Sequence, residues 1–235
     1  AKFSYRQFDD AVNRFAAGLQ RLGVQKGDRV AIMLPNCRQF AIAAYATWRV
    51  GGVMVCCNPL YVGREVEHLV NDSGATTFVV MSQFYERVKG IRADTGLERV
   101  IVTNIKEYFP TVLKLLFTLA KEKKEGHKVD ISGDAGAHWF QDVMRGATRA
   151  EPVEIDPDEV STLIYTGGTT GGPKGAQLSH HNLVSNATAL NLWARSREAE
   201  DVMLGVMPYF HSYGLTVGLN IPIANAATMV QIPNP

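Results

Sequence analysis

The chain has 235 residues, enough for one large or two small domains around a substantial core. Hydrophobic residues make up 46% and charged residues 20%, with a formal net charge of +1, which excludes a disordered or fibrous chain and gives no general attraction to nucleic acid. The three cysteines, Cys37, Cys56 and Cys57, have neither metal-ligand spacing nor an even count for a disulfide framework, which favours a reducing cytoplasm, and the 235 residues hold no apolar run of membrane-spanning length.

Ser4 with Gln7 forms a capping box, and Tyr5, Phe8, Val12, Phe15, Leu19 and Leu22 then fall three and four apart, which predicts a helix with one apolar face ending at Gly23. Gln25 to Asp28 reads as a turn and Arg29 to Leu34 as a strand broken by Pro35-Asn36. An Ala-rich helix from Gln39 to Val50, a strand from Val53 to Cys57, a helix from Arg64 to Asp72 and a strand from Thr76 to Met81 follow. Gln83 to Lys89 is helical and Arg99 to Thr103 strand-like. These strands are continuous apolar runs rather than alternating ones, so both faces are buried; the expected fold is α/β, doubly wound, with a mainly parallel sheet covered by helices.

Residues 105–128 interrupt that rhythm. Phe109, Val112, Leu113, Leu116 and Phe117 make a helical stripe, widened by Leu115 and Leu119, and Lys121, Lys123, Lys124 and Lys128 come directly after. Two readings stand: a surface helix packed on its own domain or on a second subunit of a homodimer, or a peripheral membrane patch with lysines toward lipid phosphates. Residues 133–150 read as irregular, anchored by Trp139, Phe140 and Val143, and Glu151 to Glu159 as an acidic connection. The expected division is a first α/β block over 1–104, the amphipathic helix and connection over 105–159, and a second α/β block over 160–235.

The second block opens on Ser161 to Tyr165, a short buried strand, followed by Thr166, Gly167, Gly168, Thr169, Thr170, Gly171 and Gly172. No core can be built from these residues, but their backbone N–H groups and hydroxyls can cradle an anion, with Lys174 as a mobile cation and a helix capped by Ser179 to follow. The spacing is that of neither the usual P-loop nor a dinucleotide fingerprint. A surface linker would require neither the buried strand before this loop nor Pro173-Lys174-Gly175 after it. Further on, Asp201 to Val206 is a strand ended by Met207-Pro208, so that Phe210 and His211 fall in the loop after its carboxyl end, where open α/β sheets take ligands. His180 and His181 have no other Cys or His at ligand spacing and read as helix-start residues.

Tyr165 to Gly175 resembles the phosphate-binding signature of the adenylate-forming superfamily, and the form with Gly168 is most similar to that of long-chain fatty-acid–CoA ligases. Pro208-Tyr209-Phe210-His211-Ser212-Tyr213-Gly214 resembles a second motif of that superfamily, and the similarity extends over nearly all of the chain. The resemblance implies ATP-dependent activation of a fatty acid to an acyl-adenylate, then thioester formation with coenzyme A. It implies that Thr166, Gly167, Gly168, Thr169, Thr170 and Gly171 hold the β- and γ-phosphates, that Lys174 neutralises them, that Thr166 touches Mg²⁺, and that His211 stands beside the reacting carboxylate with Phe210 and Tyr213 walling the acyl site. The superfamily's later elements, including its small C-terminal domain, do not occur before Pro235. The expectation is therefore the partial N-terminal domain of such a ligase, inactive alone, with the coenzyme A site mostly elsewhere. Another adenylate-former or a non-catalytic nucleotide-binding module are the alternatives.

Overall fold

The computed structural model describes residues 2–146, 148–166 and 173–233. In chain order the elements are α1 (Tyr5–Arg21), β1 (Arg29–Met33), α2 (Arg38–Arg49), β2 (Val53–Cys56), α3 (Gly63–Ser73), β3 (Thr77–Met81), α4 (Tyr85–Ile91), β4 (Arg99–Thr103), α5 (Thr111–Ala120), β5 (Ala137–Trp139) and α6 (Phe140–Met144). Then come β6 (Val160–Thr166), β7 (Lys174–Ser179), α7 (His180–Ala194), β8 (Val202–Gly205), a π-helix over Gly214–Asn220, α8 (Ile221–Ala224) and β9 (Thr228–Gln231). Seven strands form one sheet in the order β5-β4-β3-β1-β2-β6-β7, parallel except for β7, and β8 and β9 make a separate parallel pair. The expected doubly wound α/β fold is what forms.

The wholly apolar strands have a core on each face. Val30 and Ile32 of β1 join Phe15, Leu19, Phe40 and Ile42 from α1 and α2 on one side, while Ala31 and Met33 join Val66, Leu69 and Val88 from α3 and α4 on the other. Period-2 alternation divides each strand between two hydrophobic layers, and in β1, β3 and β4 the polar residues Arg29, Thr77, Arg99 and Thr103 fall at strand ends. The α1 capping box forms, with the Ser4 and Gln7 side chains each bonded to the other's backbone. Cys37, Cys56 and Cys57 are all buried, and burial pushes the Cys37 and Cys56 thiols up to about 12, so they are inert core residues. No helix among the described residues is long and apolar enough to cross a membrane.

Three expectations need correction. The sheet does not divide at residue 160, because β6 pairs with β2 and completes the first block's sheet; the second sheet begins only with β8. Part of the stretch read as irregular is ordered: β5 adds to β4, and Phe140 of α6 stacks on Phe15 at 4.1 Å between ring centroids. The third concerns α5, which does not pack its stripe on the domain. Of its residues only Phe117 is buried, against Phe109 and His127, while Val112, Leu113, Leu115, Leu116 and Leu119 are exposed.

Candidate functional site

Two segments carry the site, and both reach the carboxyl-terminal edge of the parallel sheet. The first is the β6–β7 hairpin. β6 runs out of the core with its inner residues Ser161 to Ile164 buried, Tyr165 half-buried and Thr166 exposed. The chain returns as β7, with Lys174 in register opposite Thr166 and Gly175 opposite Tyr165. Thr166 Oγ1 donates to Lys174 O at 3.4 Å. Thr166, with its hydroxyl, and the ammonium-bearing residue Lys174 thus stand on either side of the glycine-rich segment in the sequence. Gly167, Gly168, Thr169, Thr170 and Gly171 lie outside the described residues.

Between Lys174 and the helix capped by Ser179 the sequence announces no element, but the stretch is not a loop. Residues 174–179 pair along β6 instead, which satisfies backbone groups that the sheet edge would otherwise leave open. The helix starts one element later, where the Ser179 hydroxyl accepts from Asn182 N and the Asn182 side chain bonds back to Ser179 N. The lysine is therefore fixed at a strand end, with the helix dipole of α7 removed from it by the length of β7.

Helix α3 holds the hairpin from one face. Tyr165 Oη donates to Asp72 Oδ2 at 2.6 Å, and one turn earlier His68 Nε2 donates to Pro173 O at 3.4 Å. Burial and the neighbouring Asp72 carboxylate both push the Tyr165 phenol up, so it stays a neutral donor. The Tyr165 ring also covers Gly175: a Cβ there would lie 3.2 Å from two ring carbons, tighter than ordinary contact. The glycine after the lysine is thus explained by the aromatic residue opposite. A cleft of about 690 Å³ lies on this face between Lys26, Arg29, Asp72, Glu159, Tyr165 and Gln177, but it opens toward the amino ends of β1 and β2 and neither Lys174 nor His211 lines it.

The second segment is the loop after β8. His211 N donates to Pro208 O at 3.1 Å and Leu215 N to His211 O at 2.8 Å, a tight turn that leads into the π-helix. Gly214 packs so closely on the Pro208 carbonyl that no side chain fits. Within the turn, Tyr213 N donates to His211 Nδ1 at 3.3 Å. A neutral imidazole accepting at Nδ1 carries its proton on Nε2, so the exposed ring presents a donor outward. His211 and Tyr213 are exposed and Phe210 is half-buried.

Asn36 is the residue at this edge that sequence reasoning missed. It follows β1, at the point where the chain's crossovers diverge to either side of that strand. Its Nδ2 donates to Gly205 O at 3.1 Å and to Met207 O at 2.8 Å, and its Oδ1 accepts from Tyr209 N at 2.8 Å. Three hydrogen bonds of one buried amide are aimed at the strand end that precedes His211. Tyr209 is itself fully buried, edge-on to Phe40 at 5.6 Å. Pro-Asn after a strand read as a simple break, and nothing local distinguishes an amide that turns to solvent from one that grips a segment about 170 residues later.

The structure brings Thr166 and Lys174 together and seats Phe210, His211 and Tyr213 on the same sheet edge through Asn36. β1, which leads into Asn36, and β6 are separated in the sheet by β2 alone, roughly 10 Å in strand spacings. Among the described residues no hydrogen bond joins the two groups. A lysine, a threonine hydroxyl and a histidine N–H at one sheet edge are groups that can attract or donate to an anionic ligand.

Comparison with known proteins gives the family. The family model described as AMP-binding enzyme matches residues 1–235. A long-chain-fatty-acid–CoA ligase of Bacillus subtilis (strain 168) is 34% identical over 225 residues, which is 94% of this chain and 40% of that protein. Among solved structures, a long-chain-fatty-acid-CoA ligase from Archaeoglobus fulgidus has a TM-score of 0.77 at 33% identity, covering 98% of this chain and 40% of that one. ATP-bound MatB from Rhodopseudomonas palustris has a TM-score of 0.80 at 26% identity, covering 100% and 41%. The chain thus spans about two fifths of the length of the relatives it matches. With the family model matching residues 1–235, the chain belongs to the AMP-binding enzyme family.

Proposed function

We propose that the full-length protein activates a long-chain fatty acid with ATP and passes the acyl group to coenzyme A. The carboxylate oxygen attacks the α-phosphorus, the bond to the bridging oxygen breaks, and pyrophosphate leaves; the thiol then attacks the acyl carbon, loses its proton to solvent and displaces AMP. The observation that carries this reading is the shared sheet edge, with Lys174 and Thr166 on one side and His211 on the other. The naming of the B. subtilis and A. fulgidus relatives supports the fatty-acid and coenzyme A parts.

In this reading Lys174 and the glycine-rich turn from Thr166 to Gly171 bind the β- and γ-phosphates and stabilise the charge that grows on departing pyrophosphate. His211 orients the fatty-acid carboxylate through its Nε2 proton, and Phe210 and Tyr213 exclude water from the acyl side. Among the described residues no group of three or more His, Cys, Asp and Glu side chains forms a metal-ligand set. A Mg²⁺ would have the exposed Thr166 hydroxyl as its contact in this chain, and when bound it would supply charge neutralisation on the phosphates. Coenzyme A would be recognised mostly by the rest of the full-length protein.

The test is carboxylate-dependent exchange of labelled pyrophosphate into ATP by the full-length protein. Fatty acids of several lengths, an aryl acid and amino acids are offered, with Lys174→Ala in parallel. Exchange with long fatty acids, reduced roughly a hundredfold or more in the variant, is the expected result. Exchange with aryl or amino acids alone would move the protein to another branch of the family, and unaltered exchange in Lys174→Ala would remove that residue from the mechanism.

A further inference from the structure

Helix α5 faces two ways. Projected at about 3.6 residues per turn, Phe117 points to the body of the protein, and Val112, Leu115, Leu116 and Leu119 lie on the far side. These four are 70%, 59%, 55% and 76% exposed. An amphipathic helix on a globular domain turns its apolar side inward; here the outward side is the apolar one.

The base beneath the helix is firmly built. Asn104 donates to Glu122 Oε1 at 3.0 Å and to His127 O at 3.1 Å, and Lys106 Nζ pairs with Glu122 Oε2 at 2.6 Å. Glu107 accepts from Thr103, Gln141 and Asn104 N, and Ser82 Oγ meets His127 Nδ1 at 2.9 Å. Both ends of the excursion are therefore locked to the strand ends β3 and β4 by a part-buried polar network. A stretch so anchored, with Val112, Leu115, Leu116 and Leu119 turned outward, is a presented surface rather than a frayed one.

Its rim is basic. Residues 111–128 hold five lysines and two glutamates. One of those glutamates, Glu122, is buried against Lys106, and the other, Glu125, pairs with Lys121. Lys114, Lys123, Lys124 and Lys128 are exposed. Helix α7 makes a useful contrast, since it too exposes apolar side chains, Val184, Leu192 and Trp193, yet contains no Asp, Glu, Lys or Arg. An uncharged face of that kind suits cover by more protein. Two copies of the α5 patch would bring their lysine rims face to face, which disfavours a symmetric pairing.

We infer that α5 and its lysine rim dock the protein on an anionic lipid surface, the leucines entering the headgroup boundary and Lys114, Lys123, Lys124 and Lys128 meeting lipid phosphates. Apolar insertion and attraction to anionic headgroups add on such a helix. The inference is independent of which acid the protein activates.

The experiment is co-sedimentation of the full-length protein with phosphatidylcholine vesicles, with and without phosphatidylglycerol. Expected are binding to the anionic vesicles that weakens with added salt, at least about tenfold weaker binding for Leu115→Glu/Leu119→Glu, and about fivefold loss per lysine for Lys123→Glu/Lys124→Glu. Equal binding by these variants, no binding by the unaltered protein, or indifference to anionic lipid would overturn the inference. A concentration-dependent dimer abolished by the leucine variant, without vesicle binding, would assign the patch to a second copy instead. If the leucine variant does not fold, Leu116→Cys carrying an environment-sensitive dye decides the matter, with identically treated unaltered protein as the blank. Its emission should shift to the blue on anionic vesicles, whereas a signal already blue-shifted without lipid means that the protein's own chain covers α5.

Discussion

β1 to β4 and the β6–β7 hairpin belong to one sheet, yet they are made differently. In β1 to β4 nearly every side chain is buried and each strand divides its residues between two hydrophobic layers. In the hairpin, burial fades along β6 from Ile164 to Thr166, and β7 is largely exposed with pairing on one side only. The first region fixes where the second can be, and the second carries groups proposed to touch a ligand. Stability and chemistry are thereby separated along one sheet, and single substitutions should move one with little effect on the other.

The largest effect on stability should come from Phe15→Ala. The ring is fully buried and stacked on Phe140, so its loss should cost about 3–5 kcal/mol in denaturant unfolding, while pyrophosphate exchange per folded molecule is retained. A loss in exchange larger than the loss of folded protein would break the separation. Asn36→Ala stands between the two regions. It leaves two carbonyls and one N–H without their partner and should cost about 1–3 kcal/mol, together with a fall in exchange because the His211 turn loses its clasp.

A smaller effect should appear with pH at His127. Burial is the main cause that lowers this imidazole below its usual range, against the pull of Glu125 and Glu122 and with Lys106 adding to the lowering. The folded protein thus resists protonation that the unfolded chain accepts, so stability is full above the ordinary value of 6.5 and declines as pH falls from there toward the lowered folded value. Melting temperatures from pH 7.5 to 5 should fall more steeply for the unaltered protein than for His127→Gln, and parallel slopes would remove His127 from the account. At the bottom of the scale, Lys174→Ala should alter stability by no more than about 0.5 kcal/mol, since the side chain is exposed, while exchange collapses.

The same contrast explains what could be read from sequence. Continuous apolar runs such as Phe78-Val79-Val80-Met81 announce a strand buried on both faces. Lys174 to Ser179 is polar and half Gly, Ala and Ser, and it becomes a strand only because the edge of β6 is there to receive it. Ala137 to Trp139 is too short to show a period. At the site, Thr166, Lys174 and His211 were legible from motif and loop position. Asn36 was not, because its role is set by a partner segment far along the chain. The stripe on α5 was legible as amphipathic, but periodicity gives the existence of an apolar face and says nothing of what it is turned toward.

One pairing sets the order in which these parts can be made. β6 zips onto β2 across more than a hundred intervening residues, Met54 meeting Thr162. At about 5–20 residues per second of synthesis, that is roughly 5–20 s during which β2 has β1 on one side and an open, wholly apolar edge on the other. The nascent chain therefore carries its most adhesive strand uncapped until the phosphate hairpin emerges. Substitutions that slow the seating of β6 should lower the yield of soluble protein more than its final stability.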